Sequence, residues 1–439
     1  MRTRSRLRVH VVTMGCAKNV VDSERLMAQL RRSDVELAPS VERADVALIN
    51  TCGFIQSAKE ESLEAMFELV RLKAGGRLKK VFAMGCLTER YLEDLRKEIP
   101  EVDGFFGSHQ LEDVVRTLGA EYREELLGER CLTTPSHTAY LKISEGCDHP
   151  CSFCAIPLMR GRHRSLPEEA LLAEARRLVE QGVRELVVIG QDTTAYGEDI
   201  DGKRHLAGLL TRLADLPGLA WVRLMYAYPA RFPLDVLDVL AHHPNVCRYL
   251  DLPLQHVSDR ILTSMRRGMS RRALRELVAT IRRSVPGVAL RTTLITGYPG
   301  EGEGEFEELL SFVREARFER LGVFTYSQEE GTAAHGLGDP VSAGEKERRK
   351  ERLMEVQREI SAEQNEALIG RTLRVLIERK EGGLFVGRSE RDAPEIDNEV
   401  FIRSTSPLMP GSFCDVDIVE AYEYDVVGVY RRNAEGRAR

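Results

Sequence analysis

The feature that most constrains the fold is a repeated alternation of short β-branched runs with helical patterns between residues 138 and 335. In the pattern at 167–181, for example, Leu171, Ala175 and Leu178 recur at the spacing of one helix face. Repeated strand–helix units predict a parallel sheet with crossover helices, and therefore an α/β fold. Six such units are too few for a closed barrel, so we expect an open (βα)6 partial barrel with its site at the carboxyl ends of the strands. The predicted strands are 140–144, 185–190, 221–227, 248–252, 289–295 and 321–326.

Two smaller regions flank this repeat, and a chain of 439 residues has room for about three domains. Residues 6–125 also alternate strands with helices, which predicts an N-terminal parallel α/β domain. Residues 368–435 contain five short strand candidates, which predict a small antiparallel β-barrel of the OB-like class. We therefore expect domains at 6–125, 133–367 and 368–435.

Composition and charge exclude several classes of protein. Hydrophobic residues make up 43% and charged residues 30% of the chain, as in ordinary globular proteins. A formal net charge of −6 argues against polyanion binding through bulk electrostatics. Because no secretory or membrane-spanning apolar stretch occurs, we expect a cytoplasmic protein without a membrane partner. Nine cysteines in such a chain indicate metal or redox chemistry more than disulfides.

Three cysteines in the run EGCDHPCSFC, namely Cys147, Cys151 and Cys154, follow the first predicted strand of the repeat. Three thiolates can bind a four-iron cubane and leave one iron open, whereas clusters for electron transfer alone usually have four cysteine ligands. The CxxxCxxC spacing, with an aromatic residue between the last two cysteines, resembles the radical S-adenosylmethionine (SAM) superfamily. Two alternatives remain, a zinc site completed by a nearby histidine such as His149 or His163, and three unrelated buried thiols.

Another set of three cysteines, Cys16, Cys52 and Cys86, lies in the first region, and each has a glycine beside it. Each follows a predicted strand, and the carboxyl ends of parallel strands share one edge of a sheet, so we expect the three thiols to converge. The glycines would let a cluster approach the backbone closely. We interpret the set as ligands of a second cubane with one open iron; the alternative is that they are small buried hydrophobes. The preceding strands are 7–13, 46–50 and 81–84. Outside both sets are Cys131, Cys247 and Cys414.

The order of these domains resembles the methylthiotransferases, a radical SAM family with a three-cysteine domain in front and a TRAM barrel behind. The similarity covers nearly the whole chain, with a small departure at Met14, where the family more often has leucine or phenylalanine. Several stretches resemble the branch that modifies an aspartate of small-subunit ribosomal protein twelve, not the branch that modifies a transfer-RNA adenosine. They are 14–19 (MGCAKN), 50–55 (NTCGFI), 59–62, 100–103 (PEVD), 155–161 (AIPLMRG), 191–197 (QDTTAYG), 249–256 (YLDLPLQH), 388–398 (RSERDAPEIDN) and 420–425 (EAYEYD).

The resemblance implies transfer of a methylthio group to the β-carbon of that aspartate, with SAM and two 4Fe-4S clusters as cofactors. It implies that Cys147, Cys151 and Cys154 hold the cluster that cleaves SAM, and that the other set holds the cluster that delivers the methylthio group. No catalytic residue beyond the cluster ligands is expected, and the electron donor would be a protein such as flavodoxin or ferredoxin. The resemblance also suggests a SAM pocket, although each of its residues has an equally plain structural explanation. The pocket residues are Phe153, Gly190, Gln191, Tyr226, Arg291, Gly297 and Pro299.

Charge in the predicted barrel bears on the substrate. Residues 371–430 contain seven Lys or Arg and twelve Asp or Glu, a net charge of −5. Because RNA binding requires cations that neutralise phosphates, we expect no direct transfer-RNA contact and a basic protein partner instead. Two other functions remain open, namely a transfer-RNA adenosine methylthiotransferase and a non-enzymatic iron–sulfur electron carrier.

Overall fold

Three sheets organise the chain in the computed structural model, which describes residues 6–431. Residues 432–435, which the sequence assigns to the third domain, lie outside the described residues. The α/β class, the open six-stranded sheet and the C-terminal barrel are all confirmed. No helix within residues 6–431 is both long and apolar enough to cross a membrane.

The first sheet has five parallel strands in the order β2-β1-β3-β4-β5. Its strands are β1 Leu7–Thr13, β2 Val35–Leu37, β3 Val46–Thr51, β4 Lys80–Gly85 and β5 Gly104–Phe106. Its helices are α1 Ala17–Arg31, α2 Gln56–Ala74, α3 Cys86–Arg90, α4 Leu92–Glu98 and α5 Leu111–Thr117. The edge strands β2 and β5 are three residues long, too short for a sequence alternation to reveal them. Tyr91 separates α3 from α4, because its non-helical backbone, with φ of −127° and ψ of 32°, ends α3 before α4 begins.

The second sheet has six parallel strands in the order β13-β12-β11-β10-β9-β6, with β6 and β13 as open edges. Its strands are β6 Thr138–Lys142, β9 Glu185–Ile189, β10 Trp221–Leu224, β11 Val246–Asp251, β12 Ala289–Thr296 and β13 Arg320–Thr325. A two-stranded ribbon flanks the loop that contains Cys147, Cys151 and Cys154; its strands are β7 Ser144–Glu145 and β8 Arg164–Ser165. The helices are α6 Ile156–Arg160, α7 Glu168–Glu180, α8 Glu198–Asp201, α9 Leu206–Ala214, α10 Asp235–His242, α11 Asp259–Ser264, α12 Arg271–Ser284 and α13 Glu303–Ala316.

A long helix, α14 Ala343–Glu366, connects β13 to the C-terminal barrel. The barrel closes in the order β14-β15-β16-β18-β17, with four antiparallel neighbours and one parallel pair, β16 with β18. Its strands are β14 Thr372–Glu381, β15 Leu384–Ser389, β16 Val400–Arg403, β17 Phe413–Ala421 and β18 Val426–Tyr430. The barrel is therefore mainly, but not wholly, antiparallel.

The two faces of the six-stranded sheet are covered by different parts of the chain. Along β6, Ala139 and Leu141 pack in the core under the helices, whereas Tyr140 points to the opposite face. That opposite, concave face packs against Val21 of α1 and Leu376 of the barrel. The first and third domains therefore meet inside the open side of the partial barrel.

Candidate active site

The first set of thiols lies at the carboxyl edge of the first sheet. Cys16 caps the start of α1, Cys52 directly follows β3, and Cys86 begins α3 directly after β4. The strands β1, β3 and β4 are neighbours, and Thr51 pairs with Gly85, so Cys52 and Cys86 leave the sheet at the same level. The structure therefore brings the three predicted ligands to one edge.

Gly15 allows the β1–α1 turn to pass directly over Cys52. Its φ is +86°, and a Cβ added there would lie 2.6 Å from the Cys52 Cβ. Only glycine fits this combination of left-handed backbone and close approach. The turn is also held by the Asn19 side-chain amide, which donates to the Met14 carbonyl at 2.8 Å and the Thr51 carbonyl at 3.1 Å.

Arg160, at the end of α6, connects this edge to the second domain. Its Nε donates to Cys86 Sγ at 3.1 Å, its Nη2 to Asn19 Oδ1 at 2.6 Å and its Nη1 to Asp22 Oδ2 at 2.7 Å. Burial raises the pKa of Cys52 to about 11 and that of Cys86 to about 12, although Arg160 opposes the shift. Because burial disfavours the thiolates, a bound cation such as an iron cluster fits this donor set.

The second set of thiols lies in the loop between β7 and α6. Backbone hydrogen bonds hold this loop: Cys147 N donates to the Gly161 carbonyl at 3.1 Å and Cys154 N to the Cys151 carbonyl at 3.2 Å. Burial, together with a smaller effect of the neighbouring thiols, raises the pKa of Cys147 and of Cys154 to about 12. This set also requires a cationic ligand to be ionised at neutral pH.

Cys151 has two polar neighbours, one from the segment after β10 and one from the segment after α11. Arg267 Nη1 donates to its Sγ at 3.3 Å, and the Tyr228 hydroxyl lies 3.6 Å from the same atom. Tyr228 stacks on His149 at 3.5 Å between ring centroids, and His149 Nε2 lies 2.6 Å from Asp192 Oδ2. His149 is therefore engaged with Asp192 and Tyr228, and His163 faces Ser165 at 3.2 Å.

The two thiol sets differ from a site for a single metal ion. In the part of the chain that the structure describes, no three or more His, Cys, Asp or Glu side chains are arranged to hold a single metal ion. A cubane has a different requirement, because each cysteine thiolate binds a separate iron atom. The two convergent sets of three thiols suit that requirement.

The predicted SAM residues at the end of β9 lie beside the second thiol set. A Cβ on Gly190 would lie 2.7 Å from Ser144 Oγ, and Gln191 Nε2 donates to Glu145 Oε1 at 2.5 Å. Gln191 Oε1 and Ser144 Oγ are buried and have no hydrogen-bond partner among residues 6–431. Buried polar atoms normally have partners, so these two fit a ligand with polar groups such as the amino acid portion of SAM.

The other predicted pocket residues are engaged in different ways. Tyr226, with φ of +59°, follows β10, and its N–H donates to Asp251 Oδ2 at 3.0 Å. Arg291 in β12 donates to Asp251 Oδ1 at 2.9 Å, which occupies part of its guanidinium. Phe153 packs in an apolar cluster with Tyr298.

Gly297 and Pro299 lie directly after β12, at the carboxyl edge of the sheet. The Gly297 N–H donates to Glu301 Oε1 at 3.0 Å, and that carboxylate accepts from Arg349 Nη1 at 2.6 Å. These contacts connect the turn to α14, so here a structural role is visible. Contact of either residue with SAM stays a prediction.

Sequence reasoning did not single out a group of charged side chains between the two thiol sets. Arg160, Asp22, Glu145 and Lys142 form one network, in which Lys142 Nζ contacts Glu145 Oε2 at 2.5 Å and also Asp22. Lys18 lies beside this network, and burial lowers its pKa to about 8, which leaves it cationic at neutral pH. A signal was available, because Lys18 and Arg160 are the cations inside the stretches MGCAKN and AIPLMRG.

Models of known families match all three regions of the chain. The model described as uncharacterized protein family UPF0004 matches residues 8–107, that of the radical SAM superfamily matches residues 141–313, and that of the TRAM domain matches residues 369–430. Among solved structures, the chain is similar to the radical SAM methyltransferase TsrM from Kitasatospora setae, with a TM-score of 0.54 and 14% identity over 87% of this chain and 80% of that one. At that identity the likeness concerns the fold alone.

Two curated relatives are similar over nearly their whole length. The protein from Chloroherpeton thalassium is 53% identical over 96% of this chain and 98% of its own, and that from Cytophaga hutchinsonii is 50% identical over 96% and 97%. Both are named ribosomal protein uS12 methylthiotransferase RimO.

The fold and the CxxxCxxC loop thus define a radical SAM enzyme, which uses an iron–sulfur cluster and SAM. Within that class, the chain belongs to the RimO family of methylthiotransferases. The predicted family is therefore confirmed, and the electron carrier without enzymatic activity is no longer an alternative.

Proposed function

We propose that this chain transfers a methylthio group to the β-carbon of an aspartate in ribosomal protein uS12, in the cytoplasm, with SAM and two 4Fe-4S clusters. The observation that carries the proposal is the pair of three-thiol sets at the carboxyl edges of two parallel sheets, with buried Arg160, six residues after Cys154, donating to Cys86 of the other set. Two sets with three thiols each provide two clusters with an open iron, one for each half of the reaction.

When bound, these groups supply the one-electron chemistry that breaks an unactivated C–H bond and the sulfur that replaces the hydrogen. The chain itself binds and positions. Cys147, Cys151 and Cys154 would hold the cluster beside SAM, and the unpartnered Gln191 Oε1 is available to the polar groups of SAM. Arg267, which donates to Cys151 Sγ at 3.3 Å, fixes that sulfur and adds positive charge next to it.

Cys16, Cys52 and Cys86 would hold the other cluster. Arg160 orients this site, because it donates to Cys86 Sγ while its other nitrogens contact Asn19 and the acids of the network. Cys52 and Cys86 are buried and Cys16 is exposed, while Cys147, Cys151 and Cys154 are partly exposed, so both sets can be reached from outside the fold.

The proposed partner is a protein and not transfer RNA. The names of the relatives state uS12 as their substrate. The barrel region 371–430 has a net charge of −5, which suits a basic ribosomal protein and opposes a phosphate backbone. A flavodoxin- or ferredoxin-like protein is the proposed electron donor.

Anaerobic reconstitution of the wild type and two triple variants tests the proposal. We expect about eight irons per wild-type chain and about four in each of C16A/C52A/C86A and C147A/C151A/C154A, because each set would hold one four-iron cluster. With a strong reductant, only the variant that lacks the second set should lose deoxyadenosine formation. The variant that lacks the first set should cleave SAM without modifying uS12.

C131A is the matched control, because Cys131 lies outside both sets, and it should retain the iron content and both activities. The mass gain of one methylthio group on uS12, with none on transfer RNA, identifies the substrate. Methylthio-adenosine in transfer RNA without a mass gain on uS12 would contradict the proposal, and so would loss of both activities in both triple variants at full occupancy of the remaining cluster.

A further inference from the structure

Lys18 lies where the two sheet edges meet. It is in the first turn of α1, two residues after Cys16, and the residue is only 7% exposed. Its Nζ lies 2.9 Å from the centroid of the Tyr226 ring, at the end of β10 in the second domain. The ammonium group therefore lies between the first thiol set and the carboxyl edge of the six-stranded sheet.

This cation has no anionic partner in the described part of the chain. Nζ of Lys18 forms neither an ion pair within 4.0 Å nor a hydrogen bond with residues 6–431. The acids around it are already engaged: Asp251 with Arg291 at 2.9 Å, and Glu145 with Lys142 at 2.5 Å. A buried ammonium without a counter-ion is unfavourable, so the position suits an anion that the protein itself does not supply.

The neighbouring cations differ from Lys18 in this respect. Arg160 pairs with Asp22 at 2.7 Å, and Arg291 pairs with Asp251. Lys18 follows Cys16 by two residues, and its Nζ lies over the ring of Tyr226, whose N–H donates to Asp251 at 3.0 Å. Its surroundings are thus the first thiol set and the centre of the second sheet.

We propose that the Lys18 ammonium binds the carboxylate of the target aspartate and so positions the adjacent β-carbon between the two thiol sets. The inference rests on the proposed function, since it requires an aspartate substrate. An ammonium offers three donors, and the Tyr226 ring occupies only one side of it, so two donors remain for a carboxylate. Because the β-carbon is bonded directly to the carboxyl carbon, fixing the carboxylate also fixes the reacting carbon.

The methionyl carboxylate of SAM is the competing source of the same chemistry. The position of Lys18 favours the target, because Lys18 follows Cys16 in the first domain while the unpartnered Gln191 Oε1 lies with the second thiol set. The experiment must still separate the two carboxylates, which it does by measuring SAM cleavage without uS12.

The test compares full-length, reconstituted wild type with K18M on uS12 and on a uS12 variant with asparagine at the target position. K18M should keep the wild-type iron content and the wild-type rate of SAM cleavage without uS12. Its kcat/KM for methylthiolation of uS12 should fall about 10- to 100-fold, the effect of losing one charge-assisted hydrogen bond. On the asparagine substrate, K18M and wild type should be similar, because the charge that Lys18 recognises is absent.

Two further variants make the test specific. K18R keeps the charge and should retain part of the preference for aspartate, whereas K18Q should resemble K18M. K80M is the matched control, because Lys80 is an exposed lysine of the same domain and lies at the end of β4 that is farther from the thiol set. This variant should behave as wild type.

Three outcomes would overturn the inference. Equal losses on the aspartate and asparagine substrates would mean that Lys18 does not recognise the carboxylate. Slower SAM cleavage without uS12, or a raised KM for SAM, would assign Lys18 to SAM. Loss of iron in both K18M and K18Q would make it a structural residue. A wild-type enzyme that leaves uS12 unmodified is a separate result, because it contradicts the proposed function itself before any variant is compared.

Discussion

At the scale of single residues, the site depends on side chains and glycines that make contacts no neighbour could replace. Arg160 satisfies a thiol, an amide and a carboxylate at once. Gly15 allows Cys16 and Cys52 to approach, since any side chain there would overlap the Cys52 Cβ. The positions of the thiols in the first set therefore depend on close contacts made by individual residues.

Gly15→Ala should disrupt the first thiol set more than the fold. A left-handed φ costs an alanine about 1–2 kcal/mol, and the overlap with Cys52 must also be relieved by moving that cysteine. We expect the reconstituted variant to lose about half of its iron. The iron content and the urea midpoint of unfolding are measured on the same preparation.

Gly76→Ala separates the two effects of that substitution. Gly76 has a φ of +75°, close to that of Gly15, but a Cβ there would have no atom within 4 Å. This control should show the backbone strain in its urea midpoint and retain its full iron content. Equal iron content in the two variants would show that the close approach at Gly15 is unimportant.

At the scale of secondary structure elements, the thiol sets follow the carboxyl ends of strands, whereas a residue at the start of β9 links the six-stranded sheet to the barrel. Glu185 begins β9 and accepts from Arg223 of β10 at 2.8 Å. It also pairs with Arg388 of β15 in the barrel at 2.5 Å. The three side chains are almost completely buried, so this ion pair network joins the six-stranded sheet to the barrel.

The Glu185 network predicts a specific dependence of stability on pH. Burial alone would raise the pKa of Glu185, but Arg388 and Arg223 outweigh it and lower that pKa from 4.5 to about 2. A lowered carboxyl pKa stabilises the folded state above the ordinary value, and this contribution is lost as the pH falls toward the folded-state pKa. The contribution of the ionised form is on the order of 3 kcal/mol.

Glu185→Gln provides the measurement. At neutral pH the variant should unfold at a lower urea concentration than the wild type, because two buried arginines lose their shared carboxylate. This difference in midpoint should narrow as the pH falls from about 5 toward about 2, because in that range Glu185 takes up a proton in the unfolded wild type but not in the folded one. A difference that stays constant over this range would contradict the assigned role of Glu185.

At the scale of the whole molecule, the active site exists because three domains pack around one concave sheet face. The β15–β16 loop reaches this face, where Asp397 accepts from the Tyr249 hydroxyl at 2.7 Å. On the other side, Glu24 of α1 accepts from Arg130 Nε at 2.9 Å and from Thr133 N at 2.6 Å. Arg130 in turn contacts Glu174 of α7 at 2.8 Å, which connects the first and second domains.

Glu24→Gln should weaken the packing of the first domain on the second. The Glu24 side chain is fully buried, and breaking a buried ion pair from one side costs about 3–5 kcal/mol. We expect a lower urea midpoint and a first domain that is cleaved earlier in limited proteolysis.

Glu129→Gln is the matched control, because Glu129 pairs with the largely exposed Arg32 at 3.2 Å. An exposed pair contributes about 0–1 kcal/mol, so this variant should unfold and be cleaved like the wild type. Identical behaviour of the Glu24 and Glu129 variants would show that the Glu24 network does not hold the domains together.

The amino-acid sequence by itself determined the α/β class, the six-strand repeat and the two sets of cysteines. These features are local. Strands and helices can be told apart by their hydrophobic period, and the cysteine loop is recognised by the spacing of its cysteines. Even the convergence of Cys16, Cys52 and Cys86 could be predicted, because carboxyl ends of parallel strands share an edge. The short strands β2 and β5 could not, because three residues show no period.

Only the tertiary structure decided what lies between the thiol sets and what covers the concave sheet face. Arg160 and Cys86 are 74 positions apart, and Tyr249 and Asp397 are 148 apart. No local pattern encodes such pairs, because they depend on how the three sheets pack against one another and on which buried charges must find a partner. The placement of Lys18 against Tyr226 has the same origin.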